Sequence, residues 1–267
     1  MKHIIAIAII GLMFFSACDS EVKETSVKTV PNESENEIVV TTTDDAAHIT
    51  FPSENGISDT TFSAQREDNT SPEEKAKNLI MRKARTAFNK GLESYQAGEY
   101  AEAIKSFQTV LEFDPENAKA YFNLGKIYAM EGQNDLAISY YQDAVEYNPS
   151  DSASLLGIGM AYFNKGDFGQ SVEYYNRALE VAPNYALAYY NRGTVTGQMK
   201  NYEAALSDLN KSIELSPNDH QSYMNRGLVY YYTNRLDDAC KDWNKAASLG
   251  NPEAEKAVRI YCTPQKK

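Results

Sequence analysis

Few side chains in this chain could do chemistry. Cysteine stands at 18, 240 and 262, and histidine at 3, 48 and 220. A zinc site needs four ligands close together, and no third ligand stands near Cys240 and Cys262, with His220 more than a helix away in sequence. No Gly-rich phosphate loop, His-Glu-x-x-His or Gly-x-Ser-x-Gly run is present, and nothing pairs a histidine with a nucleophile. Acidic pairs such as Asp237 and Asp238 read as solvated faces. No catalytic residue, no metal, no cofactor and no enzyme activity are expected. What remains is thiol chemistry and amide hydrogen bonding. Asn89, Asn123, Asn191 and Asn225 lie 34 residues or twice 34 apart, with Gly157 in the gap. An amide both donates and accepts, so such a row could hold both groups of a peptide bond, or could only bond neighbouring helices.

Charge narrows the partners. The 267 residues include 37 Asp and Glu against 26 Lys and Arg, a net of −11. Sustained binding to a phosphate backbone needs clustered positive charge, so no nucleic-acid partner is expected.

The first residues read as an export signal. Lys2 precedes an apolar stretch from Ile4 to Phe15. At 1.5 Å per residue it spans roughly 18 Å, short of the ~30 Å hydrocarbon core, which favours a signal peptide over residues 1–17. The stretch ends Phe15-Ser16-Ala17-Cys18. This resembles a bacterial lipobox, with Phe where Leu is usual. The resemblance implies cleavage before Cys18, lipidation of its thiol, acylation (as by palmitate) of its new amine, and attachment to a membrane through that lipid. Two or more acyl chains hold firmly where one does not. A place in the bacterial cell envelope follows, at the outer membrane more than the inner, facing the periplasm or the surface. Residues 18–70 are acidic and low in hydrophobicity, which predicts a disordered tether. Its one strand-like run, Ile38-Val39-Val40-Thr41-Thr42-Thr43, could add to a partner's sheet edge or be a short apolar patch in a solvated tail.

Everything beyond has one period. Pro115, Pro149, Pro183 and Pro217 are 34 apart, as are Gly91, Gly125, Gly159, Gly193 and Gly227, and Ala103, Ala137, Ser171, Ala205 and Ala239. The mid-helix glycine costs about 1 kcal/mol against Ala; the expected reason is that a second helix crosses there and a Cβ would hold the backbones apart. Gly98, Gly132 and Gly166 end first helices in the left-handed conformation. Lys200 and Asn234 replace them in the last two units, and Lys suits that geometry less, so a differently shaped fourth turn is expected. Phe107, Tyr141, Tyr175, Leu209 and Trp243 fill the space between helices. Ser71-Pro72-Glu73-Glu74 is a capping box that starts a long first helix. These ladders resemble the tetratricopeptide repeat, a helix–turn–helix unit.

The resemblance implies an all-α, right-handed solenoid of five units: 71–117 with its extended first helix, 118–151, 152–185, 186–219 and 220–252, then a capping helix and tail over 253–267. Cys240 lies 11 residues before Asn251 and Cys262 lies 11 after it. In an antiparallel helix pair turning at Asn251 they stand level, so a disulfide is expected, two free core thiols being the alternative. In the family, the first helices line a concave groove. The resemblance implies that Asn89, Asn123, Asn191 and Asn225 face it, with Lys119, Lys126, Arg192 and Arg226 as a positive strip. The expected function is capture of a peptide or protein partner in that groove by a membrane-anchored adaptor. The alternative is a structural spacer or self-assembling lipoprotein with no peptide ligand.

Overall fold

The computed structural model describes residues 39–43 and 46–50, for which only the backbone is considered, and residues 71–263. The signal peptide, the lipidation site Cys18, most of the tether and the last four residues lie outside them. The chain divides into two units, 1–69 and 70–267.

In the first unit, β1 (Val39–Thr43) and β2 (Ala46–Thr50) pair antiparallel, Val39 opposite Thr50 and Thr43 opposite Ala46. The strand-like run therefore finds its partner within its own segment. β-Branched residues favour the pleated form, and closing so short a loop costs less entropy than recruiting a distant edge.

The second unit is helical. The first helices of the repeats are α1 (Pro72–Gln96), α3 (Ala118–Met130), α5 (Ser152–Asn164), α7 (Ala186–Gln198) and α9 (His220–Tyr232). The second helices are α2 (Tyr100–Phe113), α4 (Asn134–Tyr147), α6 (Phe168–Val181), α8 (Tyr202–Leu215) and α10 (Leu236–Ser248). A cap follows, α11 (Pro252–Ala257), running into π-helical Val258–Cys262. No described helix is long and apolar enough to cross a membrane.

Local sequence sets the boundaries. Ser71 accepts a hydrogen bond from the Glu74 amide and starts α1 as its capping box predicts. Asn117, Asp151 and Asp219 cap α3, α5 and α9 in the same way. Gly98, Gly132 and Gly166 turn between helices at φ of 78°, 74° and 80°. Lys200 and Asn234 take the same conformation, φ 63° and 59°. The fourth turn is thus not reshaped by its lysine: the Asn201 amide bonds Thr196 O as the Asp167 amide bonds Tyr162 O one unit earlier. Packing of the two helices outweighs a local cost of about 1–2 kcal/mol.

The mid-helix glycines face the crossing second helix as expected, and in three units its backbone: a Cβ on Gly159, Gly193 or Gly227 would lie 3.2 Å from the carbonyl oxygen of Ser171, Ala205 or Ala239. The tightest contact in every unit is nevertheless a side chain. A Cβ on Gly91, Gly125, Gly159 or Gly227 would lie 2.6–2.7 Å from the ring of Phe107, Tyr141, Tyr175 or Trp243 respectively. These rings are at most 5% exposed, and Leu209 takes the place in the fourth unit, fully buried. Each unit is therefore locked by a large side chain of the second helix laid flat on the backbone of the first. Trp243 also donates its indole N–H to Met224 O, 3.3 Å away.

Cys240 and Cys262 are bonded, closing a span of 22 residues. By the chain-entropy account such a loop is worth roughly 3 kcal/mol. Asn251, 1% exposed, accepts from the Ala254 amide and lies 3.0 Å from Nδ1 of His220. Ala254 and Ala257 of the cap then cover Trp243 and Ala246.

Two glycines separate packing from propensity. Gly227→Ala is expected to destabilise by about 1–3 kcal/mol through overpacking on Trp243. Gly197→Ala meets nothing closer than 3.5 Å and is expected to be neutral or to stabilise by up to about 1 kcal/mol. Urea unfolding followed by circular dichroism measures both.

Candidate functional site

Helix order places the candidate face. α3, α5 and α7 each touch the next first helix, while successive second helices pack mainly through the first helix between them. The first helices thus form the tighter, inner layer of the stack. Side-chain links cross it. Nζ of Lys126 on α3 sits 4.7 Å from the Tyr95 ring centroid on α1, and the Tyr95 hydroxyl meets Met130 Sδ at 3.2 Å. Asn225 on α9 donates to Thr194 Oγ1 at 2.9 Å and Tyr190 Oη at 3.3 Å on α7.

Charge is segregated between the layers. α3, α5, α7 and α9 contain no Asp or Glu at all. Each second helix carries two or three. In a chain of net charge −11, the inner layer from α3 onward is kept clear of carboxylates, while α1 carries Glu73, Glu74 and Glu93.

The asparagine row is not four equal teeth. Asn89 is exposed on α1. Asn123 is half-buried and donates to its own helix, at Lys119 O, 2.7 Å. Asn191 is 3% exposed, and its Nδ2 has no partner. Asn225 is committed to Tyr190 and Thr194. The difference lies one unit back: 34 residues before Tyr190 and Thr194 stand Leu156 and Met160, which offer Asn191 no hydroxyl. Gly157 is fixed by packing, since a Cβ there would come within 2.6 Å of Tyr141 Cζ. An even ladder for a peptide backbone is therefore not what the fold presents; two of its members are built into the repeat.

The positive strip shrinks likewise. Arg192 Nε and Nη2 grip Asp208 at 2.8 and 2.7 Å, and its Nη1 reaches Asn176 of the preceding unit at 2.6 Å. Arg226 repeats this on Asp242 and Asn210 at 2.7, 2.7 and 2.6 Å. Both guanidiniums point into the joint between first and second helices, not along the groove. A bidentate, mostly buried pair is strongly coupled, and it leaves neither arginine available. Asp208, Asp242, Asn176 and Asn210 escaped the sequence reading, although Arg192–Asp208 and Arg226–Asp242 share one spacing of 16 that repeats 34 residues on.

Lys119 and Lys126 remain. They lie seven residues apart on α3 and so on one face, and neither forms an ion pair among the described residues. Downstream the same row turns uncharged: Met160, Thr194 and Leu228 follow Lys126 at 34-residue steps, all half-buried. The row of residues just before Asn89, Asn123, Gly157, Asn191 and Asn225 divides. Phe88, Phe122 and Tyr190 are half-buried, and Leu156 and Met224 are in the core. Burial pushes the Tyr190 phenol up to about 12, Asp219 adds to this, and hydrogen bonds with Thr194 and Asn225 oppose it. It stays protonated at neutral pH. Among the described residues no three His, Cys, Asp or Glu could hold a metal ion.

A TPR repeat profile matches residues 91–132, and three tetratricopeptide repeat profiles match 118–151, 151–218 and 190–254. The chain belongs to the tetratricopeptide repeat family.

No curated protein matches it. Among solved structures, this tetratricopeptide repeat protein is similar to MamA, at 26% identity over 67% of this chain and 95% of that one, TM-score 0.56. YrrB, described as a TPR protein with an unusual peptide-binding site, shares the fold at 20% identity, covering 71% of this chain and 99% of its own, TM-score 0.57. PilF of Pseudomonas aeruginosa does so at 19%, covering 70% and 86%, TM-score 0.61. The fold is thus a helical solenoid of tetratricopeptide repeats, a protein-interaction scaffold.

The arginine joints carry stability. With Asp242 8% and Arg226 18% exposed at the side chain, Arg226→Met is expected to cost about 3–5 kcal/mol, because it strands a buried carboxylate. Arg226→Met with Asp242→Leu is expected to recover most of that. Denaturant midpoints of the two variants are the check.

Proposed function

We propose that this protein is a lipid-anchored adaptor of the bacterial cell envelope, which captures an extended peptide or protein segment on the face made by its first helices. The observation that carries the reading is that inner face. It is solvent-accessible along α3, α5, α7 and α9, free of carboxylates, and lined by half-buried polar and apolar side chains that the fold has not consumed. A face that alternates apolar and hydrogen-bonding groups can hold an extended chain through both its backbone and its side chains.

The lipobox-like run ending at Cys18 supports an anchor. Attachment at the outer membrane, on the periplasmic or surface side, is the location proposed. The Cys240–Cys262 bond is consistent with an oxidising compartment. On this reading residues 18–70 give reach from the membrane, and the solenoid presents the binding face.

Two experiments test the parts separately. A photo-reactive amino acid at Asn123, on the inner layer, is expected to cross-link a partner in intact cells, while one at the exposed Gln108 of α2 is not; equal yields from both positions refute a groove partner. Cys18→Ser is expected to move the protein from the membrane pellet to the soluble fraction, and continued pelleting refutes the lipid anchor.

A further inference from the structure

We infer that the groove selects an acidic ligand: an extended internal stretch of a partner protein whose carboxylates lie over α3 and whose apolar side chains follow over α5, α7 and α9. This rests on the groove reading above and names its ligand class.

Three observations carry it. The inner helices α3, α5, α7 and α9 have no carboxylate in an otherwise acidic chain. Of the four cations on those helices, Arg192 and Arg226 are neutralised by Asp208 and Asp242. Lys119 and Lys126 therefore hold the unpaired positive charge of these four helices. They are about 10 Å apart along one helix face, with the Asn123 amide between them. Lys126 is held in place over the Tyr95 ring, so its charge stays at the surface of the layer.

Position along the stack sets the rest. In the rows that begin at Lys119 and Lys126, the equivalents in later units include Leu187, Met160 and Leu228, half-buried and uncharged. A ligand lying across the stack thus meets charge first and apolar surface afterwards. The acidic outer layer does not cancel this, because charges are screened over ~8 Å at physiological ionic strength. Recognition needs no terminal carboxylate: the two lysines stand on one helix face, where side-chain carboxylates of a continuous chain can meet them.

Random 12-residue peptides displayed on phage are selected on the full chain in detergent, and the selected sequences are synthesised with both ends blocked. The expected result is enrichment of Asp and Glu, with affinity unchanged by blocking the ends. Affinity is expected to fall about tenfold in Lys119→Glu/Lys126→Glu, to weaken as salt is raised, and to be unaffected by Lys105→Glu on the exposed side of α2. Melting temperatures of the variants confirm that the fold is kept. Neutral or basic peptides that depend on Leu228, shown by loss of binding in Leu228→Glu, overturn the acidic ligand and leave the groove reading standing. Peptides that bind only with a free carboxy terminus overturn the internal stretch. Failure to recover any peptide sensitive to Lys119→Glu/Lys126→Glu or to Leu228→Glu overturns both.

Discussion

A ring lying flat on a glycine holds each unit of this solenoid together. Phe107, Tyr141, Tyr175 and Trp243 reach the backbone of the preceding helix at Gly91, Gly125, Gly159 and Gly227. Burying such a side chain is worth about 1.5–3 kcal/mol, against about 1 kcal/mol lost by a glycine within a helix. The exchange fixes the distance between the two helices of a unit. It thereby fixes which residues of the first helix are left to face outward from the inner layer. The fourth unit reaches the same spacing with Leu209 in place of a ring, and there Gly193 is less tightly covered.

Around that contact the units are tied in two different ways. In the second and third, Tyr128 stacks on Tyr140 and Tyr162 on Tyr174, with centroids 5.3 and 5.6 Å apart. In the fourth and fifth, Asp208 and Asp242 stand where those second-helix tyrosines stood, and Arg192 and Arg226 bind them. Both solutions close the same joint, one by ring stacking and one by a desolvated ion pair. The second also reaches back to Asn176 and Asn210, so it joins neighbouring units as well as the two helices of one. Its consequence for function is subtractive: two of the four Lys and Arg on α3, α5, α7 and α9 are withdrawn from any ligand.

The two ends of the stack differ. At the carboxy end, α11 and the Cys240–Cys262 bond cover Trp243, and Tyr261 packs on both Trp243 and Tyr231. At the amino end, α1 runs about a dozen residues beyond its counterparts and leaves Leu79, Ile80 and Met81 exposed. A solenoid needs its terminal apolar faces covered; here one is closed by a staple and the other is extended by a helix.

Periodicity by itself determined the number of units, the helix starts and stops and the ring positions, and it set the two cysteines level without deciding that they bond. Each follows from local rules: a capping side chain, a left-handed turn residue, a proline, or two positions level across one antiparallel turn. The tetratricopeptide character was legible for the same reason, because every unit repeats the contacts within itself. What only the tertiary structure decided were contacts between units and between layers. Asn191 and Asn225 occupy the same place in the repeat, yet one is buried without a partner for its Nδ2 and the other is bound, because the preceding unit presents leucine and methionine in one case and two hydroxyls in the other. Arg192 and Arg226 read as groove cations in one dimension and prove to be structural once the second helix brings a carboxylate to them. The turn at Lys200 likewise obeys the packing of its helices over its own preference. Spacing along the chain fixes which helix face a side chain occupies; what it meets there depends on residues 16 or 31–35 positions away, which only folding brings within reach.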